Sequence, residues 1–132
     1  MKTRLYVPED YPTIETWWAR HGMAPVPEKV LPDCGVVVMD DAAEPLAAVW
    51  LYQDNSVGVA WLAWLVTDGV TGPFPIEKAI LVLVEAASNV AKDLNYGLLF
   101  TMTERHGLGK WFERNGWVRN HTGMAQYFKT LN

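Results

Sequence analysis

The feature that most constrains this chain is an abrupt change in the spacing of its apolar residues after Thr67. Val57–Thr67 is apolar at alternate positions on both sides, as in a strand buried on both faces of a sheet. After a loop at Asp68–Phe74, Pro75–Leu94 repeats apolar residues with helical spacing over about five turns. Tyr96–Thr103 is again typical of a strand. Because strand, helix and strand joined in this way form a crossover unit, the two strands should lie parallel.

The residues before this unit predict an antiparallel meander, because only short turns separate successive strands. An N-terminal strand and a helix capped by Asp10 and stopped by Gly22 come first. The predicted strands of this part are Thr3–Val7, Gly35–Met39, Pro45–Gln53 and Val57–Thr67. After the crossover unit, we expect a short helix at Gly107–Asn115, ended by Gly116, and a closing hairpin of Trp117–Arg119 and Gly123–Lys129.

Length and composition exclude several classes of protein. A chain of 132 residues fits a single domain, 1–132, and its net charge of −4 argues against nucleic acid as a partner. No apolar segment reaches the roughly 20 residues that cross a bilayer, so no membrane partner is expected. Cys34 is the only cysteine and the three histidines are scattered, which disfavours a disulfide or a metal site. We therefore expect a cytoplasmic protein.

The order of elements, together with two local stretches, resembles the GNAT superfamily of N-acetyltransferases. The first stretch is Trp61–Tyr96, where a long strand, a loop and a long helix end in Asp-Leu-Asn-Tyr. The second is Gly107–Trp117, where an aromatic-rich helix ends in Gly and Trp. The chain also resembles the small GNAT-like proteins of bacteriophages. The resemblance implies an α/β fold with a mixed sheet, in which an antiparallel meander precedes a strand, a helix and a parallel strand that separate in a V-shaped splay.

The resemblance further implies acetyl-CoA as the co-substrate. A helix N-terminus suits a pyrophosphate, and the free edge of a strand can pair with the amides of pantetheine. The residues expected around the cofactor are Leu65, Val66 and Thr67 at the pantetheine arm, Thr71, Gly72, Ile76, Glu77 and Lys78 at the phosphates, and Gly109, Lys110 and Phe112 at the thioester end.

Two positions depart from the family pattern. The spaced glycines of the family's loop fall on Pro75–Ile80, where no glycine is present. Phe112 stands where many relatives carry a tyrosine that protonates the leaving thiolate, and a phenyl ring cannot do this. Phe112 can also be interpreted as a core residue, and the loop as an ordinary strand–helix connection.

Three side chains are candidates for the catalytic base: Asp68, Glu104 and His106. Each follows the carboxyl end of a predicted central strand, and a carboxylate or imidazole can take the proton of an attacking amine. Each can equally be an exposed loop residue. The function that follows is transfer of an acetyl group to an amine of a small molecule or protein. The alternative is an inactive GNAT-fold binding protein, for example a phage-encoded inhibitor of a host protein.

The tryptophans complete these expectations. Four of them are predicted to lie in the core: Trp50, Trp61, Trp64 and Trp111. Trp17 and Trp18 are adjacent on one helix and point about 100° apart. Both are expected in the core only if the helix packs on two sides. Otherwise one of them is expected on a surface that faces the substrate or forms an interface, and a homodimer is one such interface.

Overall fold

The computed structural model describes residues 1–103 and 107–131 in full and the backbone of residue 106. The chain divides into two compact units, 1–102 and 103–132. The single domain expected from chain length stays a prediction. In the first unit, a five-stranded sheet has the order β1-β2-β3-β4-β5. The strands are β1 Lys2–Leu5, β2 Gly35–Met39, β3 Pro45–Gln53, β4 Val59–Thr67 and β5 Leu98–Thr101.

The pairing of these strands confirms the predicted topology. β1 through β4 are joined antiparallel, whereas β5 pairs with β4 in parallel. The parallel pair is connected by helix α2, Pro73–Asp93, and the meander is preceded by helix α1, Tyr11–Arg20. Gly22, which follows the C-cap residue His21, takes a φ of +71°, so a glycine there ends α1 as predicted.

The two helices cover the sheet on opposite faces. The buried side of α2 is apolar and packs mainly on β3 and β2. On the other face, α1 contributes Ile14, Trp17 and Trp18 to a separate apolar cluster with residues of β2, β3 and β4. Both tryptophans of α1 are buried, with 2% and 3% of their surface exposed. The alternative in which one of them lines a surface is therefore wrong, because the cluster surrounds both rings.

Trp50 of β3 lies at the centre of that cluster and has no exposed surface. Its ring stacks on Trp18 with centroids 5.8 Å apart and meets the ring of Tyr6 edge-on at 5.2 Å. Gly35 lies against this ring, because a Cβ there would fall 2.8 Å from Cδ1 of Trp50. The prediction that Trp50 is a core residue is confirmed, and the absence of a side chain at Gly35 makes room for it.

Strand and helix boundaries differ from the predictions where turns extend into the expected elements. β4 begins at Val59 rather than Val57, because Oδ1 of Asp54 holds the backbone N–H of Ser56 at 2.6 Å in the turn. β5 begins at Leu98 rather than at residue 96, because the N–H of Tyr96 bonds the carbonyl of Ala91 and so belongs to the end of α2. β5 also ends at Thr101 rather than at residue 103.

The expectation that β4 is buried on both faces is wrong. Trp61 and Trp64 are 41% and 39% exposed, so neither is a core residue. The reason is that the cluster under α1 includes Val66 of β4 but not Trp61, which leaves this part of the sheet face open. Trp61 instead stacks on Phe100 of β5, with centroids 4.4 Å apart.

The second unit contains helix α3, His106–Arg114, whose end is formed by Gly116 with a φ of +89°. Phe112 is buried and contacts the rings of Trp111 and Trp117. The predicted closing hairpin is wrong, since no strand forms within the described residues 117–131. An isolated two-stranded hairpin is marginally stable, and the tail leaves Tyr127 and Phe128 about as exposed as in an extended chain, at 89% and 94%.

Two further findings concern the described residues alone. None of their helices combines the length and apolar character needed to cross a membrane. No three of their His, Cys, Asp or Glu side chains group together as metal ligands would.

The contact between Gly35 and Trp50 predicts a sharp difference between two glycines. Gly35→Ala should lower the free energy of unfolding by about 2 kcal/mol, because a Cβ forces apart the rings of a packed core. Gly58→Ala is the control, because the nearest atom to its Cβ would be 3.8 Å away, and it should change stability by less than about 0.5 kcal/mol. Urea denaturation measures both, and equal effects would contradict this account of the core.

Candidate functional site

The candidate site lies where β4 extends beyond the last residue that pairs with β5. The last parallel pair joins Leu62 to Thr101, and the hydroxyl of Thr101 donates to the carbonyl of Leu62 at 3.2 Å. β4 continues to Thr67 and stays paired with β3 to its end. On its other side, residues 63–67 have no strand partner within the described part of the chain. Among the described residues, the second half of β4 therefore has an open hydrogen-bonding edge on the side of β5, although β4 is not an edge strand of the sheet.

A β-bulge marks the start of this free half. The pairing of β3 with β4 shifts between Ala48 and Trp50, so that two residues, Trp64 and Leu65, stand opposite Val49. Trp64 has a φ of +62°, which is sterically costly for a bulky residue. A bulge bends its strand and increases the local twist. The bulge thus begins two residues after Leu62, the last residue of β4 that pairs with β5.

Backbone alternation identifies which groups the free edge offers. The N–H of Asp68 donates to the carbonyl of Leu46 at 2.8 Å, so the backbone at this position faces β3. Successive residues of a strand direct their N–H and C=O groups to opposite sides, so Val66 also faces β3, whereas Leu65 and Thr67 face the free edge. The side chain of Val66 is also buried. Of the three residues expected along pantetheine, Leu65 and Thr67 therefore face the side of β4 that has no strand partner among the described residues.

The bulge is held from the side by a tyrosine. Tyr52 of β3 accepts a hydrogen bond from Nε1 of Trp64 at 2.8 Å and donates one to the carbonyl of Val30 at 2.6 Å. Burial raises the pKa of the Tyr52 phenol, while the bond from Trp64 acts to lower it. Tyr52 thereby ties the strained residue of β4 to the loop between α1 and β2.

Asp68, one of the candidate bases, is a buried residue that organises the loop after β4. Its Oδ1 accepts the backbone N–H groups of Val70 at 3.1 Å and Thr71 at 3.0 Å, and its Oδ2 accepts the hydroxyl of Thr71. Nη1 of Arg20 donates to its carbonyl at 2.8 Å. The carboxylate is thus already occupied by the loop, which favours a structural role.

The end of α1 also reaches the end of β4. Nε2 of His21 lies 3.1 Å from both the carbonyl and the hydroxyl oxygen of Thr67. Gly69 has a φ of +78°, and a Cβ there would lie 3.1 Å from Cβ of Arg20. These contacts fix the position of the loop that leads from β4 into α2.

The start of α2 brings together the residues expected at the phosphates. Gly72 is the N-cap, with the N–H of Ile76 donating to its carbonyl at 3.1 Å, and Thr71 precedes it. The helix starts at Pro73 rather than at residue 75, so its first turn holds two prolines and Phe74. Glu77 and Lys78 are exposed on the following turn.

The remaining candidates belong to the second unit or lie outside the described residues. Lys110 is exposed, Phe112 is buried, and a Cβ at Gly109 would lie 3.4 Å from Nη2 of Arg119. Glu104 and the side chain of His106 lie outside the described residues, so their assignment as bases stays a prediction.

Sequence reasoning missed both Trp64 and Tyr52 as parts of this site. Nothing in the residue type of Trp64 indicates a positive φ, which is normally found at Gly, Asn or Asp. The one available signal was the end of β3, where Tyr52 is followed by the polar residue Gln53. A hydroxyl at that place can bond a neighbouring loop.

The two bonds of Tyr52 predict a coupling between positions 52 and 64. Tyr52→Phe should lower the free energy of unfolding by about 2 kcal/mol, since it removes two hydrogen bonds. Tyr11→Phe is the matched control because it removes a hydroxyl that donates to the carbonyl of Val26 in the same loop, and it should cost about 1 kcal/mol. In a Trp64→Gly background, Tyr52→Phe should cost no more than the control. A full effect in that background, measured by urea denaturation, would show that Trp64 gains nothing from Tyr52.

Comparison with known proteins shows which solved structures share this arrangement of strands and helices. No protein-family model matches the sequence. No curated protein sequence matches it either. Solved structures do match. An acetyltransferase from Trypanosoma brucei aligns over 96% of this chain and 99% of its own, with a TM-score of 0.67 at 10% identity.

Two other solved structures are similar to the same extent. Glucosamine-6-phosphate N-acetyltransferase from Arabidopsis thaliana aligns over 97% of this chain and 98% of its own, with a TM-score of 0.65 at 12% identity. An aminoglycoside acetyltransferase from an uncultured soil metagenomic sample aligns over 99% and 96%, with a TM-score of 0.65 at 15% identity. Identities this low establish the fold alone. The chain has the GNAT acetyltransferase fold, with its mixed sheet of antiparallel strands followed by a parallel crossover.

Proposed function

We propose that the protein transfers an acetyl group from acetyl-CoA to an amine of a small molecule or protein. The observation that carries the proposal is the edge of β4 beyond Leu62, where residues 63–67 have no strand partner among the described residues and Leu65 faces the open side inside a sheet of the acetyltransferase fold. An extended chain containing amides can bind such an edge as an added strand. The pantetheine arm of an acyl-CoA is a chain of this kind.

The reaction asks little covalent chemistry of the protein. The neutral amine nitrogen attacks the thioester carbonyl carbon, a C–N bond forms, and the C–S bond breaks as the thiolate leaves. The amine loses one proton, and the thiolate gains one. The protein accelerates this by holding donor and amine together and by stabilising the oxyanion.

The proton transfers are assigned from the sequence resemblance and from the geometry of Asp68. Since the loop already uses both oxygens of Asp68, Glu104 and His106 are the better candidates for the base. Phe112 has no proton to give, so the leaving thiolate takes its proton from another group or from water. These roles are part of the proposal.

A docking protein without turnover is the second candidate function. It is favoured by the exposed rings of Trp61 and Trp64, the first of which stacks on the half-buried Phe100, a feature more typical of interaction surfaces than of an ordinary sheet face. Phe112 at the family's tyrosine position favours it too. The two candidates differ in whether the protein binds an acyl-CoA and consumes it.

The proposal predicts that CoA and acetyl-CoA stabilise the folded protein. At about one hundred times the dissociation constant, either ligand should raise the free energy of unfolding by about 2.7 kcal/mol, seen as a higher Tm in a thermal shift assay. Release of free thiol from acetyl-CoA over a panel of amines then measures turnover. An unchanged Tm at millimolar ligand would exclude acetyl transfer from acetyl-CoA, and stabilisation without thiol release would favour the docking protein.

A further inference from the structure

The loop between β4 and α2 has few donors left for a phosphate. In a working phosphate cradle, several backbone N–H groups converge on the anion. Here the N–H groups of Val70 and Thr71 and the hydroxyl of Thr71 are bound by Asp68. The side chain of Asp68 is an internal anion that takes the place of an external one.

The first turn of α2 is also short of donors. A helix normally offers four unpaired N–H groups at its start, at the N-cap and the first three positions. In α2 these positions are Gly72, Pro73, Phe74 and Pro75, and the two prolines have no N–H. At most three amides of the whole segment remain for a ligand, those of Gly69, Gly72 and Phe74.

The charges around this segment do not favour an anion either. Asp68 lies buried within the loop and Glu77 is exposed on the second turn of α2, so two carboxylates oppose a pyrophosphate. Arg20 and Lys78 are the cations nearest in sequence or contact, and Arg20 already donates to the carbonyl of Asp68. Opposite charges in equal number leave no net attraction for a phosphate group.

The edge of β4 shows none of these defects. Leu65 and Thr67 face the free side of the strand, and the bulge at Trp64 is held in place by Tyr52. His21 contacts the carbonyl of Thr67, and within the part of the chain that the structure describes this leaves the N–H of Thr67 and both backbone groups of Leu65 for a ligand. The part of the site that suits an amide chain is therefore complete, while the part that would suit a nucleotide is not.

We propose that this site recognises the pantetheine arm of an acyl thioester and gains little from the nucleotide of CoA. The inference rests on the proposed function and adds the class of donor: a pantetheine thioester, with or without an attached nucleotide. Hydrogen bonds to a charged group are each worth roughly tenfold or more in affinity, so a functional phosphate cradle would separate CoA from pantetheine widely. The full-length protein should bind the two with dissociation constants within about fivefold of each other.

Calorimetry with CoA, 4′-phosphopantetheine and pantetheine tests this directly. Adenosine 3′,5′-bisphosphate, which has the nucleotide but no pantetheine, should not compete with pantetheine. CoA binding more than about fivefold tighter than pantetheine would overturn the inference and leave acetyl transfer from CoA standing. If the protein binds none of the pantetheine ligands, both the proposed function and the inference are wrong. Tighter binding of CoA than of pantetheine overturns the inference alone, so the two failures can be told apart.

Two variants test whether the missing backbone N–H groups and the charge of Asp68 weaken the binding of the nucleotide. Pro75→Ala restores an amide in the first turn of α2, and Asp68→Asn removes the internal charge while keeping an oxygen for the loop amides. Each should tighten CoA binding by roughly threefold to tenfold and leave pantetheine binding unchanged. Pro12→Ala, in the first turn of α1, is the control and should change neither ligand. If both variants leave the ratio of the two dissociation constants as it is in the native protein, neither the missing donor nor the internal charge limits nucleotide binding, and the inference is wrong.

Discussion

The arrangement of this protein depends on an unequal pairing of one strand. β4 is bonded to β3 over its whole length but to β5 only as far as Leu62. A strand in the interior of a sheet normally satisfies its backbone groups on both sides, because unpaired buried groups are costly. Among the described residues, the half of β4 beyond Leu62 has no strand partner on the side of β5, so it offers hydrogen-bonding capacity there, and the candidate site follows from it.

The free half of β4 is held by side chains from elsewhere in the first unit. Tyr52 bonds Trp64, His21 contacts Thr67, and Arg20 bonds the carbonyl of Asp68. Two of these residues belong to the end of α1, and Tyr52 in turn bonds the loop that follows α1. These contacts replace part of the support that a full β5 would give. They also connect the segment between α1 and β2 to the edge of β4. A shift in the position of that segment therefore changes the position of the strand edge as well.

The regular elements could be predicted from sequence because they depend on local periodicity. The short apolar runs of β2 and β3, the helical repeat of α2 and the glycine after α1 each indicate one structure whatever surrounds them. The parallel pairing of β5 followed from the crossover rule. The exposure of Trp61 and the positive φ of Trp64 could not be predicted in this way. They depend on where α1 ends over the sheet and on where β5 stops, which are tertiary facts with no local signature.

Asp68 shows why residue type and position together are a weak guide to a catalytic role. A carboxylate after a central strand is well placed to accept a proton, and the same position is well placed to order the loop that follows. The two roles compete, because a proton on Asp68 would weaken its bonds to the amides of Val70 and Thr71, which need an acceptor. A loop built around this carboxylate therefore keeps both of its oxygens occupied. The same bonds that give the loop its shape remove Asp68 as a convenient base and remove two amides from any phosphate.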